Sequence, residues 1–407
     1  MKAQSLFIPV ILILSLFFIN CKEKESIVPK QIEFSETEYR VLQAGNSFAF
    51  RFFKNINKNE AENTLVSPFS VSLALTMTSN GACNFTDSAI KEVLFLTGME
   101  EERINESYRD ILNKLLKADR EVVLEIANAI WFRNTFQVEE GFKSVNQQYY
   151  HAKVEGLDFT SPAAVETINN WVGEVTHQKI EKIVNSISPE DVMFLVNALY
   201  FKGNWKYAFD ESETGIDKFY TQDDVFEVKM MEQTVNLNYY TDSFVEVVEL
   251  PYGDEHFSMM IFLPGEDNSL NDVINRFDQE RWTEWNEGIT KRRINIKFPK
   301  FEFMSEFELN KMLSEMGMKV AFEPGKADFC RMNPNSELFI SKVKHKTYID
   351  LDEKGTEAAA VTSVGISLTS VGGEQGYPFH VNRPFVFAIK ENTTNSIMFL
   401  GKVMKPE

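Results

Sequence analysis

The chain carries only 3 cysteines in 407 residues, a scarcity that excludes a scaffold built on a disulfide framework. Setting aside Cys21, which belongs to the leader described below, Cys83 and Cys330 remain. Both stand in apolar surroundings, Gly81-Ala82-Cys83 and Asp328-Phe329-Cys330, so they read as buried free thiols, with one bridge as the alternative. Basic residues are in short supply too: 42 Lys and Arg against 60 Asp and Glu give a formal net charge of −18. An anion of this size gains nothing from a phosphate backbone, which argues against nucleic acid and heparin-like polyanions as partners. The 5 histidines are scattered without metal-ligand spacing, so neither a metal nor another cofactor is expected. No G-x-S-x-G elbow supports a serine hydrolase. After residue 34 there is no Pro/Gly/Ser-rich linker, low-complexity tract or internal repeat. One large domain is therefore the better reading of a length that alone would allow two or three.

What is present is ordinary globular material, 43% hydrophobic and 25% charged with 35 Phe, enough for a large core. The N-terminus differs in kind. Lys2 precedes an apolar run of 14 residues, Leu6 to Ile19, which ends at Cys21 and the stretch Lys22-Glu23-Lys24-Glu25. That run is short of the roughly 20 residues a membrane span needs, and it reads as the core of a signal peptide. A Cys directly after such a run resembles a bacterial lipoprotein signal, in which the Cys is lipidated after cleavage, although Phe18-Ile19-Asn20 lacks the usual small residue before it. A plain secretory signal or an uncleaved anchor is the alternative. The expected division is a signal peptide over 1–20, a tether over 21–33 and one domain over 34–407. The expected location is the bacterial cell envelope, through a lipid on Cys21 inserted in the membrane, or the extracellular medium.

Helical spacing of Val41, Ala44, Phe48 and Phe52 predicts a helix from Glu36 to Phe53. Ser67-Pro68 predicts an N-cap and first helical residue, with the helix running to about Thr78. Further helices are expected over Glu101–Lys117, through Ile168, Trp171, Val172 and Val175, and through Phe307, Leu309, Leu313 and Met316 with Gly317 as its stop. Strands are expected over Glu121–Phe132, Met193–Phe201, Val245–Leu250, Phe257–Leu263, Arg293–Phe303 and Leu338–Tyr348. Pro384–Ile389 and Ser396–Val403 flank a turn and predict a hairpin. Helices first and strands later is the pattern of an α+β fold. Between the last two strand regions, Gly355 to Gly376 is a 22-residue stretch of small and hydroxyl residues, a length that marks a functional loop or a linker.

Several segments together resemble the signatures of the serpin family, in order and over roughly residues 35 to 404. They are Asn63-x3-Ser67-Pro68-x-Ser70 with Gly81-Ala82; Leu157-Asp158-Phe159 followed by Ile168-Asn169-x-Trp171-Val172 and Thr176; and Asn197-Ala198-x-Tyr200-Phe201-Lys202-Gly203-x-Trp205. Leu250-Pro251-Tyr252, Pro299-Lys300-Phe301, Ala327-Asp328-Phe329, His345-Lys346, Glu353-Lys354-Gly355-Thr356-Glu357-Ala358-Ala359-Ala360 and Arg383-Pro384-Phe385 complete the series. The resemblance implies three β-sheets, about eight or nine helices and an exposed reactive-centre loop. It also implies a monomer that inhibits proteases as a suicide substrate: the protease cleaves the loop, is held as an acyl-enzyme, and the freed loop inserts into a sheet. Loop insertion in serpins is itself a general example of strand addition. A non-inhibitory binding or carrier protein of the same fold is the alternative.

The resemblance assigns roles by position. Glu353, Gly355, Thr356, Glu357, Ala358, Ala359 and Ala360 form the hinge; Ser67, Ser70, Asn197 and His345 form the polar shutter where the sheet parts; Trp205, Lys300 and Glu353 form the breach where insertion starts. Counting 16 residues on from Glu353 puts the reactive bond at Thr369-Ser370, with Leu368 and Ser370 as neighbouring candidates. The residues support insertion independently. With Thr356 facing the core, period-two alternation places Ala358, Ala360, Thr362, Val364 and Ile366 on the same face. That face carries no charge, and no Pro breaks the ladder. Thr, Leu and Val around position 369 point to elastase- or subtilisin-like targets; the lack of Arg and Lys from Gly355 to Val381 argues against trypsin-like ones. A cysteine protease stays open as a target.

Overall fold

The computed structural model describes residues 31–58, 60–188, 191–335, 337–356 and 376–406. Of the residues singled out above, Cys21, Glu357, Ala358, Ala359, Ala360, Leu368, Thr369 and Ser370 lie outside the described residues, as does the leader.

The first third is mainly helical: α1 (Glu36–Asn57), β1 (Thr64–Val66), α2 (Pro68–Ser79), α3 (Asn84–Val93), α4 (Glu101–Leu115), β2 (Val122–Arg133), α5 (Glu140–Tyr150), β3 (Lys153–Leu157) and α6 (Ala163–Val175). Strands then dominate: β4 (Met193–Asn204), β5 (Gly215–Tyr220), β6 (Val225–Thr241), β7 (Val245–Pro251) and β8 (Phe257–Pro264). The helices α7 (Leu270–Asn275) and α8 (Gln279–Gly288) precede β9 (Thr290–Pro299), β10 (Phe301–Glu308), α9 (Asn310–Leu313), β11 (Lys344–Leu351), β12 (Gly355–Thr356), β13 (Tyr377–His380), β14 (Phe385–Glu391) and β15 (Ser396–Val403). The α+β class is as expected, and so is the helix count among the described residues.

Local chemistry sets the ends of the helices that matter here. Ser35 caps α1 through a reciprocal pair with Glu38. Ser67 caps α2 by accepting from the Ser70 N–H at 3.2 Å, with Pro68 in the first turn. α2 is apolar on nearly every side and runs through the core. The helix expected from Phe307 to Met316 is much shorter: Phe307 belongs to β10, and Gly317 at φ +125° kinks the irregular turns that follow α9 and run on to Phe322. The strand expected from Leu338 starts only at Lys344. α3, α5 and the β5–β6 hairpin are additions to the elements expected.

The strands form two hydrogen-bonded sheets. One has six strands in the order β10-β11-β12-β4-β2-β3. The other runs β1-β15-β14-β8-β7-β6-β9-β13, with β5 added on β6. The expected second and third sheets are thus joined. The 17-residue β6 pairs with β5 at its start and with β7 at its end, while β9 pairs along its middle.

The cysteines require a correction. Cys83 and Cys330 form a disulfide, with Cα atoms 5.9 Å apart, and Cys330 is exposed rather than buried. Backbone bonds bring the two segments together: the Cys83 N–H donates to Asp328 O at 2.9 Å, and the Arg331 N–H donates to Gly81 O at 3.2 Å. Met332 sits so close to Gly81 that any Cβ there would lie 2.3 Å from its Cγ. Sequence reading placed this bridge second to free thiols, because local apolar neighbours carry no sign of a pairing across 247 residues. Closing so long a loop constrains the unfolded chain, so reduction or Cys83→Ser with Cys330→Ser should destabilise the domain by about 2–5 kcal/mol. The readout is a lower midpoint in urea with reductant than without it, and no reductant effect in the double variant.

Candidate functional site

The six-stranded sheet contains a slot. β4 and β11 each run antiparallel to β12, so they are parallel to each other. Among the described residues, the ladder between them consists of Gly355 and Thr356 alone: Thr356 pairs with Leu351 on one side and Gly203 on the other, and Gly355 pairs with Asn204. At the opposite end, a cavity of about 190 Å³ is bounded by Phe194, Leu195 and Val196 of β4, by Lys342 and Lys344, and by the 183–186 segment. That segment follows α6 and is tied to it by Asn169, which accepts from the Ile183 and Val184 N–H groups and donates to Val184 O. The stretch after α6 also reaches β11: Lys179 lies 4.7 Å from the Tyr348 ring, and Lys346 donates to Lys182 O at 3.0 Å.

The upper end gathers Trp205, Lys300 and Glu353 as expected. Lys300 Nζ donates to Glu353 Oε2 at 2.6 Å, and Thr214 Oγ1 donates to Oε1 at 2.8 Å. Burial opposes ionisation of Glu353, but the hydrogen bonds from Lys300 and Thr214 outweigh it and hold the carboxyl below its usual range. Trp205 fixes the backbone beside it. Its Nε1 donates to Asp352 O at 3.0 Å, its backbone N–H donates to Lys354 O at 2.7 Å, and the Phe209 N–H donates to Glu353 O at 2.9 Å. The chain thereby enters the slot at Gly355, where a Cβ would fall 1.9 Å from Gly203 O. Only glycine fits there. Thr356 is buried and points into the core, the orientation from which the alternation of the following residues is counted. Its hydroxyl meets that of Tyr252 at 2.6 Å, and burial pushes the Tyr252 phenol well up, so it stays protonated.

The shutter residues also come together. The Ser67 N–H donates to His345 Nε2 at 3.0 Å, the Ser67 hydroxyl donates to Met398 O at 2.9 Å, and the Ser70 hydroxyl donates to Asn197 Oδ1. Sequence reading missed how far this network extends. Asn197 donates to Asn128, directly opposite on β2, and Asn128 donates to Tyr150 O at 2.8 Å. The Tyr150 hydroxyl donates to Asn105, which donates to Asn80 at 3.0 Å. A signal existed: Asn128 and Asn197 each interrupt an apolar strand, in Ile126-Ala127-Asn128-Ala129-Ile130 and Leu195-Val196-Asn197-Ala198-Leu199. A buried polar group at such a position needs a partner. Tyr252 and Thr214 were missed as well, since nothing in the local sequence says which strand end they meet.

These features define a protein whose central sheet is parted at one end by Gly355 and Thr356, with a buried polar network behind the opening. Comparison with known proteins agrees. A family profile described as "Serpin (serine protease inhibitor)" matches residues 43–406. The chain is 33% identical to human Serpin B9, over 89% of this chain and 98% of that one. It is 33% identical to a serpin-like protein of Methanosarcina mazei, over 97% and 96%. Among solved structures it resembles the thermophilic serpin tengpin in its native state, with a TM-score of 0.83 and 33% identity over 92% of this chain and 96% of that one. Human thyroxine-binding globulin, solved in complex with thyroxine, gives a TM-score of 0.83 at 28% identity over 91% and 99%. The chain belongs to the serpin family, whose members are generally protease inhibitors rather than catalytic enzymes.

Burial alone pushes the His345 imidazole down to about 4, so it is neutral at pH 7 with Nε2 as acceptor. The unfolded chain, with its histidine near 6.5, binds a proton more readily. Stability is therefore complete above about 6.5 and falls as pH drops toward 4, by at most about 3 kcal/mol. Urea midpoints at pH 7 and pH 4.5 should differ more for the wild type than for His345→Gln; equal differences would exclude this residue as the source.

Proposed function

We propose that this protein is a single-use inhibitor that traps a protease as an acyl-enzyme by inserting its own cleaved loop. The observation that carries the reading is the slot between β4 and β11, already filled at its upper end by Gly355 and Thr356. On this reading the β4 and β11 edges below them receive the incoming strand, as in strand addition generally. The sequence from Thr356 to Ile366 supplies that strand, with small or β-branched side chains toward the core. Cleavage at Thr369-Ser370 frees about 45 Å of strand, at about 3.3 Å per residue. That length exceeds the radius of a typical protease and carries it off its docking position. Apolar and hydroxyl residues around the bond suit an elastase- or subtilisin-like serine protease, and a cysteine protease of similar preference would meet the same chemistry.

The test is incubation with elastase and subtilisin, followed by denaturing electrophoresis. A covalent complex that survives SDS is expected; cleavage without a complex by every protease tried would sink the reading in favour of a non-inhibitory binding or carrier protein of the same fold. Thr356→Arg puts a charge on the buried face at the first step. It should leave cleavage intact and abolish complex formation.

The same reading assigns Cys21 as a lipid-bearing residue that holds the inhibitor, as a monomer, on the bacterial envelope. Cys21→Ala should move the protein from the detergent phase to the aqueous phase in a detergent-partition assay. A wild-type protein already in the aqueous phase would indicate plain secretion.

A further inference from the structure

The position of Thr356 depends on a side chain from outside the six-stranded sheet. Tyr252 follows the end of β7 and is fully buried. Its ring is held on two sides: Trp205 stacks on it at 4.4 Å and 14°, and Phe201 meets it edge-on at 5.1 Å. Gly203 makes room for it, since a Cβ there would lie 2.8 Å from the ring. The tyrosine backbone is fixed too, by its N–H donating to Phe257 O at 2.9 Å and by a bridge to Trp205. The one remaining freedom is rotation of the O–H, and among the described residues its partner is Thr356 Oγ1.

We infer that Tyr252 is a positioning residue for loop insertion: its hydroxyl holds Thr356 in the slot, so that insertion starts from one fixed register. This rests on the inhibitory reading above. The physical ground is that both hydroxyls are buried, so removing either leaves the other without a partner. A strand that enters one residue out of register would turn every small inward side chain to the opposite face. Seating the first threonine before cleavage removes that choice. Glu353 with Lys300 and Trp205 anchors the chain just before the slot; Tyr252 anchors the first side chain within it.

The experiment is a double-mutant cycle of Tyr252→Phe and Thr356→Val, read in two ways. Against subtilisin or elastase, each single variant should raise the ratio of cleaved to trapped inhibitor roughly three- to tenfold, the effect of one buried hydrogen bond. The rate of first encounter with the protease should not change. The double variant should be no worse than either single one, because both remove the same bond. Without protease, amide hydrogen exchange over residues 352–356, corrected for intrinsic rates, should speed up to the same extent in all three variants. A packing role alone would make Tyr252→Phe and Thr356→Val additive, or leave Thr356→Val silent in both assays; either result overturns the assignment. If the wild type traps no protease, the inhibitory reading fails, and the exchange measurement by itself decides whether Tyr252 seats the hinge.

Discussion

Two strands that flank a slot and, among the described residues, do not pair with each other are the feature on which the rest of this structure depends. Backbone N–H and C=O groups in a sheet are satisfied by a neighbouring strand or by water, and an unpaired edge is a template for addition. Here β4 and β11 flank such a position in the middle of a sheet, and among the described residues Gly355 and Thr356 bridge them. On the inhibitory reading proposed above, the fold around the slot is what guides a strand into it.

Three groups divide that work. At the upper end, Glu353, Lys300, Thr214 and Trp205 fix the backbone that feeds the slot. The ion pair there is partly buried and strengthened by the additional hydroxyl donor, unlike the many exposed pairs on the surface, which contribute little. In the middle, Ser67, Ser70, His345, Asn197 and Asn128 form a polar chain across elements that lie on both sides of the slot. Such a network is stable only when every member is satisfied, which gives the sheet one well-defined arrangement at rest. On the outer face, α6 and the segment after it lie over the sheet, bonded to β11 through Lys179 and Lys346.

The disulfide and the joined second sheet lie outside this scheme but frame it. Cys83 lies just beyond the end of α2, the helix whose start carries Ser67 and Ser70. Cys330 belongs to the chain that leads toward β11 and His345. One covalent link thus ties together the two segments whose N–H and imidazole meet at the shutter.

Much of the site was legible in the sequence because its chemistry is local or periodic. The cap at Ser67-Pro68, the hairpin of β14 and β15, and the polar Asn within an apolar strand each follow from nearest neighbours. Family resemblance added the grouping of Ser67, Ser70, Asn197 and His345, and of Trp205, Lys300 and Glu353; the structure links the first group by hydrogen bonds, pairs Lys300 with Glu353 and bonds Trp205 to the backbone on either side of Glu353. Only the tertiary structure decided which distant segments meet: Cys83 with Cys330, Asn128 with Asn197, Tyr252 with Thr356, and β6 with β5, β7 and β9 in one sheet. Pattern and propensity act over a few residues, whereas these contacts depend on how sheets stack and where loops return. Composition and periodicity carry no record of that.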